Sequence, residues 1–285
     1  MYHEQRPLMK ETRNLPPEIL LYIAQAMNLP MRGLVSVIEL LDDGGTVPFI
    51  ARYRKEATGN LDEVQIRDIA EKLAYFRELE DRRATILASI AETVSSTPAD
   101  AVIYSDFRHG LFNRRTIPEL IKAIPPNVYR VADSQVASRW GNITDFTDFD
   151  MVTPNEREAR FALADQDSGI RPLASSLYDA ARCKLLILKL GERGVLACRN
   201  SDHESLDSFF VIDSFVDRLV DAVGAGDALL AYTTLAMLVS RNEAVSTILG
   251  AFAAACECEC DGNIPITADN VRGKIADVER QMNFA

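Results

Sequence analysis

The chain has 285 residues, 47% of them hydrophobic and 26% charged, enough to bury one large or two modest cores and unlike a disordered composition. Its 31 Lys and Arg against 42 Asp and Glu give a net charge of −11, which argues against a basic surface wrapped on nucleic acid and against an anionic membrane as partner. Any phosphate must therefore be gripped by local devices.

The cysteines Cys183, Cys198, Cys256, Cys258 and Cys260 are odd in number, and the N-terminus lacks the charged, apolar and small-residue sections of a signal peptide, so the expected setting is a reduced cytoplasm. The longest nearly apolar stretch, Ala228 to Val239, falls short of the roughly 18 residues of a membrane span. It predicts a buried helix and no membrane partner. Cys256-Glu-Cys-Glu-Cys260 lacks zinc-site spacing, and alternate residues of a helix cannot converge on one ion, so these cysteines are read as packing.

Residues 1–95 read as a small all-α module. Asn14-Leu-Pro-Pro is a helix-start signal, Pro30 interrupts the pattern, and Asp42-Asp-Gly-Gly45 is a turn. A long helix is expected from Asn60, with Asn60 as cap and Glu63 three residues on. Its apolar face is drawn from Ile66, Ile69, Leu73, Phe76, Leu79, Ile86, Leu87 and Ile90.

Within this module, Thr46-Val-Pro-Phe-Ile-Ala-Arg-Tyr-Arg-Lys-Glu-Ala-Thr58 and Leu61-Asp-Glu-Val-Gln-Ile-Arg67 resemble the N-terminal helical region of the Tex transcription accessory proteins, over about residues 15–92. In that family the region precedes a nuclease-like domain, helix-hairpin-helix elements and an S1 RNA-binding domain, none of which is recognisable in these residues. Arg52, Arg54 and Lys55 read either as a phosphate-backbone contact or as a solvated face. The 12 basic and 15 acidic residues of 1–95, a net of −3, favour the solvated face.

At Ser95-Ser-Thr-Pro-Ala-Asp100 the grammar changes. Short apolar runs, Ala101–Ser105, Val128–Val131, Met151–Thr153 and Leu185–Lys189, now alternate with helical stretches such as Ile117–Ile124. That alternation predicts an α/β domain over 98–285 with a mostly parallel sheet, whose ligands bind beyond the carboxyl ends of the strands.

Asp221-Ala-Val-Gly-Ala-Gly-Asp227 runs directly into the apolar stretch from Ala228. Small residues let backbone N–H groups converge, and the positive end of the following helix adds to them, so Gly224, Ala225 and Gly226 read as an anion hole. Asp227 beside a phosphate is costly unless it removes a proton from an attacking hydroxyl. The run resembles the D-[TS]-x-G-A-G-D signature of PfkB/ribokinase sugar kinases, in which the last Asp is the base. Ala222 departs from the usual Thr or Ser and removes a side-chain hydroxyl.

Two further segments follow the order of that family. Asn155-Glu-Arg-Glu158 resembles its N-x-x-E motif, implying that Asn155 and Glu158 organise Mg²⁺ and phosphates through water; the alternative is a capping pair at a helix start. Lys189-Leu-Gly-Glu-Arg-Gly194 resembles its nucleotide-binding turn, T-L-G-x-x-G, with Lys189 in place of the common Thr, implying ATP contacts from Lys189, Gly191, Glu192 and Gly194; the alternative is a plain hairpin.

Tyr104-Ser-Asp-Phe-Arg-His-Gly110 resembles a segment of the heptose-kinase-like branch, which makes Asp106 a substrate candidate or a turn former. Asp221 and Val223 match positions that line a monovalent-cation site, implying K⁺, with Gly262 closing it and Phe252 where relatives often carry a polar neighbour of adenine. His109 and Trp140 suggest no role.

The resemblance thus implies a partial ribokinase-like three-layer domain that takes MgATP and a hexose- or heptose-like sugar or sugar phosphate. The G-G-x-x-x-N sugar-binding pattern of the family's opening half does not precede Asp106. Sheet edges left bare by its absence need the helical module or a second copy, in a homodimer, to cover them. Beside the sugar-kinase reading stand a nucleotide-binding protein without catalysis and a nucleic-acid-associated module of Tex type.

Overall fold

A computed structural model describes residues 15–107, 110–135, 143–262 and 264–283. His109 and Trp140 lie outside them. The chain divides into two units between Ile90 and Ala91.

The first unit is helical. Proline stands at the start of three of its helices, where the missing N–H would be unsatisfied anyway: α1 (Pro17–Ala26) has it in the first turn, α2 (Met31–Asp42) follows Pro30, and the helix from Val47 has Pro48 in its first turn. Gly44, with φ +89°, makes the predicted turn into α3 (Val47–Tyr53), and α4 (Lys55–Thr58) and α5 (Glu63–Ser96) complete the set. Ile23, Leu34, Val37, Ile50, Ile66 and Ile69 form the buried core.

Two expectations for α5 are corrected. Asn60 sits in the left-handed region at φ 63°, and the cap is Asp62, whose Oδ1 accepts from the Gln65 N–H at 2.8 Å while Gln65 Oε1 accepts from the Asp62 N–H at 3.0 Å. The apolar face also gives out after Phe76, which still packs on the core, with Leu79 and Ile86 exposed at 46% and 43%.

The second unit is built on a six-stranded sheet in sequential order: β1 (Ala101–Asp106), β2 (Tyr129–Ser134), β3 (Met151–Val152), β4 (Leu185–Lys189), β5 (Val195–Cys198) and β6 (Phe209–Ile212). The first four strands are parallel and the last two pairings antiparallel. Strands buried on both faces read as continuous apolar runs, and Leu185–Leu188 is one, with helices on either side. Val131, Met151, Leu185 and Ile187 pack with Leu229 and Leu230 of α9 (Ala225–Ser240). The opposite face carries α8 (Ile170–Ala181), which packs on β4 and β5. Helices α6 (Thr116–Lys122), α7 (Glu156–Leu163), α10 (Glu243–Cys258) and α11 (Ala268–Asn283) complete the unit.

Helix α9 is buried at Leu229, Leu230, Thr233 and Thr234 but not all round, contrary to what its apolar sequence predicts. A Cβ on Gly250 of α10 would overlap the Thr233 hydroxyl and lie 2.9 Å from the Leu229 carbonyl oxygen, so glycine is what lets the two helices approach on one side. On the far side Leu235 and Val239 are 61% and 88% exposed.

Candidate active site

The carboxyl ends of the parallel strands converge on a polar cluster. β2 delivers Asp133, Thr153 follows β3, and β4 ends at Lys189. Asp133 is buried, and its Oδ1 accepts both the Lys189 ammonium and the Thr153 hydroxyl, each at 2.9 Å. A buried carboxylate needs such partners, because desolvation alone would expel its charge.

The glycine-rich loop closes over this cluster. Gly224 precedes α9 at φ +87°, a left-handed conformation that a side chain would strain, and it turns the chain into the first helical residue, Ala225. The N–H groups of the first helical turn have no intrahelical partner, so they and the helix dipole point to an anion. A Cβ on Gly226 would lie 3.3 Å from Lys189 Nζ, so the ammonium sits against the loop. Asp227, in the first turn of α9, has its carboxyl raised above the ordinary carboxylate range, first by burial and then by the charge of Asp133, with Lys189 opposing.

Asn155 and Glu158 form the capping box in full. Asn155 Oδ1 accepts from the Glu158 N–H at 2.8 Å, while Glu158 Oε2 accepts from the Asn155 N–H at 2.7 Å and Oε1 from its side-chain amide at 2.7 Å. The box lies beside the cluster, because Asn155 bridges to Lys189 and the Lys189 N–H donates to the Pro154 carbonyl at 2.9 Å.

Lys189 to Gly194 does make the turn between β4 and an antiparallel β5, with the Leu190 N–H donating to the Gly194 carbonyl at 2.8 Å. Gly194 is required structurally, since a Cβ there would overlap the Ile212 carbonyl oxygen. Gly191, at φ +64°, faces open space, Glu192 is exposed, and Arg193 pairs with Glu156.

Asp221 Oδ1 accepts from the Val223 N–H at 3.0 Å, and the Val220 and Asp221 N–H groups donate to the Cys258 carbonyl at 2.8 and 3.1 Å. That ties the loop to the end of α10, on the same helix as Phe252, which stacks on Phe215 at 4.0 Å between ring centroids. Asp106 is buried at the end of β1, and the Gln135 N–H donates to its carbonyl at 3.0 Å.

The sequence reading missed Asp133 and Thr153. Each stands at the carboxyl end of a parallel strand, a signal that was present, but which such residue meets Lys189 depends on strand order. A surface cleft of about 390 Å³ beside α7, lined by Glu156, Arg157, Arg160, Phe161 and Gln166, includes none of the predicted site residues. The converging polar groups identify the site better than the cleft does. Among the described residues, no group of three or more His, Cys, Asp or Glu side chains could hold a metal ion, and no helix is long and apolar enough to cross a membrane.

Comparison with known proteins gives two families. The Tex-like protein N-terminal domain matches residues 17–91, and the pfkB family of carbohydrate kinases matches residues 113–269. The chain is 57% identical over 70 residues to the transcriptional accessory protein Tex of Neisseria gonorrhoeae, covering 25% of this chain and 9% of that one. It is 24% identical over 200 residues to the bifunctional protein HldE of a Bradyrhizobium strain, covering 69% of this chain and 39% of HldE.

Among solved structures, phosphofructokinase-2 from Escherichia coli in complex with potassium aligns with a TM-score of 0.57 at 16% identity, over 70% of this chain and 63% of that one. Ribokinase from Thermotoga maritima aligns at 0.52 and 22% identity, over 65% and 59%. These likenesses show a ribokinase-like α/β fold. The chain spans less than two thirds of each of these relatives.

Proposed function

Since this chain belongs to the pfkB family of carbohydrate kinases, with a Tex-like domain ahead of the kinase part, we propose that it transfers a phosphoryl group from MgATP to a hydroxyl of a hexose- or heptose-like sugar or sugar phosphate. The observation that carries this reading is the meeting of Gly224–Gly226, Asp227, Lys189 and Asp133 at the carboxyl ends of the parallel strands. Similarity to HldE agrees with the heptose-kinase-like wording of Tyr104–Gly110.

In this reading the backbone N–H groups of Gly224, Ala225 and Gly226 hold the transferring phosphoryl group, and Asp227 takes the proton of the attacking hydroxyl. Its upward-shifted pKa, which makes the carboxylate a stronger base, suits that task, since a base works best with a pKa near the working pH. Lys189 offers a charge to phosphate, while Gly191, Glu192 and Gly194 border the nucleotide. Asp106, at the end of β1, is the candidate contact for the sugar.

Bound Mg²⁺ would neutralise charge between the phosphates. Asn155 and Glu158 fit it through water rather than directly, because both Glu158 oxygens already bond to Asn155. K⁺ fits the Asp221–Val223 turn, which offers the Asp221 carboxylate and whose backbone is tied to the Cys258 carbonyl at a helix C-terminus. We place the protein in the cytoplasm and leave the homodimer as the arrangement that would cover bare sheet edges.

Thermal unfolding with and without MgADP tests the nucleotide half of the reading. Ligand at about 100 times its dissociation constant adds roughly 2.7 kcal/mol, so a rise in melting temperature is expected. No shift at millimolar MgADP overturns it. A second reading, nucleotide binding without catalysis, is favoured by the chain spanning only 59–63% of the solved kinases. Product formation separates the two.

A further inference from the structure

We propose that Asp133 is a positioning residue of the transfer site, holding the Lys189 ammonium against the anion loop so that this cation neutralises the phosphoryl group in flight. The proposal rests on the kinase reading and adds to it a residue outside the family signatures that the sequence displays.

Three observations carry it. Asp133 is 3% exposed, and one of its oxygens takes both the Lys189 ammonium and the Thr153 hydroxyl, so the carboxylate ties the ends of three neighbouring strands to a single point. Lysine is a long side chain with much rotamer freedom, and a buried carboxylate at 2.9 Å removes that freedom before any ligand arrives. An ammonium has three donors, and the bond to Asp133 uses one.

The second observation is the approach to Gly226. The Cβ that Gly226 lacks would stand 3.3 Å from Nζ, tighter than most side chains accept, so the first turn of α9 and the ammonium share one small space. Asp227 is the next residue. The charge therefore sits at the transferring phosphoryl group rather than along the two phosphates that stay with the nucleotide.

The third is a pair of departures in the sequence that answer each other. Ala222 removes the hydroxyl that the loop signature normally carries, and Lys189 puts a cation where the nucleotide turn normally carries a Thr. A fixed ammonium compensates a lost neutral donor, since hydrogen bonds to charged groups are about twice as strong as neutral ones.

The rival role for Asp133 is a clamp that only joins strands. A clamp would affect every ligand of the site alike, whereas a held Lys189 matters to the terminal phosphoryl group and not to ADP. Calorimetric titration of the full chain with MgADP and with Mg-adenylyl imidodiphosphate distinguishes them, using wild type, Asp133→Asn, Lys189→Met and the double variant.

The expected result is a loss of about tenfold or more for the triphosphate analogue in each single variant, with MgADP within about twofold of wild type. The double variant should be no weaker than Lys189→Met, because Asp133 acts through that lysine. If Asp133→Asn does not fold, Asp133→Glu, which keeps the charge but displaces Nζ, should show the same nucleotide-selective loss. Equal losses for both nucleotides, additive single effects or unchanged affinity overturn the proposal. Wild-type protein that binds neither nucleotide overturns the kinase reading itself, and this inference with it.

Discussion

The Glu158 carboxylate holds Asn155 twice, through its backbone N–H at 2.7 Å and its side-chain amide at 2.7 Å, and the Asn155 side chain in turn caps α7. The pair that the family motif assigns to magnesium and phosphates is thus a finished helix cap before any metal binds. Two roles for the same atoms make different predictions. As a cap, Asn155→Ala should lower stability by about 1 kcal/mol, and about 2–4 °C in melting temperature goes with each kcal/mol for a unit of this size. Differential scanning calorimetry without nucleotide reads this, and an unchanged melting temperature would remove the structural role.

Asp227 should weaken the fold at neutral pH. Its carboxyl is raised in the folded protein by burial and by Asp133, so folding favours the protonated form. The sign follows: stability is greatest below the unfolded carboxylate value and falls as pH rises through the higher folded one. Asp227→Asn should therefore melt above wild type at pH 7 and level with it near pH 3. A variant that melts below wild type at pH 7 would contradict the raised carboxyl.

Much of this was legible in the sequence, and what was not has physical causes. The turn of Asp221–Asp227 into a helix follows from local chemistry, since Gly224 is needed at a positive φ and apolar residues come directly after it. The parallel strands followed from the alternation of apolar runs and helical stretches. Asp133 was invisible because its meaning comes from Lys189, 56 residues away and two strands over in the sheet. Asn60 and Asp62 are both good capping residues, and which one caps α5 was decided by Gly59 and Asn60 taking left-handed turns. The exposure of Leu235 and Val239 on α9 depends on what packs nearby, which periodicity does not encode.

The close approach of α9 and α10 gives a third prediction. Gly250→Leu would drive its side chain into Thr233 and the Leu229 carbonyl, costing about 1–3 kcal/mol by overpacking. Urea denaturation should show a lower midpoint with the slope retained. An unchanged midpoint would mean that the helices sit further apart.

The helical module should not grip duplex nucleic acid. Arg52, Arg54 and Lys55 are exposed, but Arg54 lies over the Phe49 ring at 5.7 Å, and the net charge of residues 1–95 is negative. In a fluorescence-anisotropy titration at physiological salt, the full chain should bind duplex DNA or RNA no better than a neutral control protein. Micromolar binding with a steep salt dependence would favour the Tex-type reading instead.

The central claim is that Asp227 is the base of a sugar kinase, and sugar-dependent ADP release tests it most directly. Wild type and Asp227→Asn should be assayed in parallel across hexoses, heptoses and their phosphates. Wild-type release should be slow, because positioning both reactants contributes about 7–11 kcal/mol to such a transfer and the chain spans less than two thirds of the solved kinases. Asp227→Asn should lower that release by about 10²–10⁴-fold while MgADP binding is retained. Equal sugar-dependent release from both proteins would contradict the assignment.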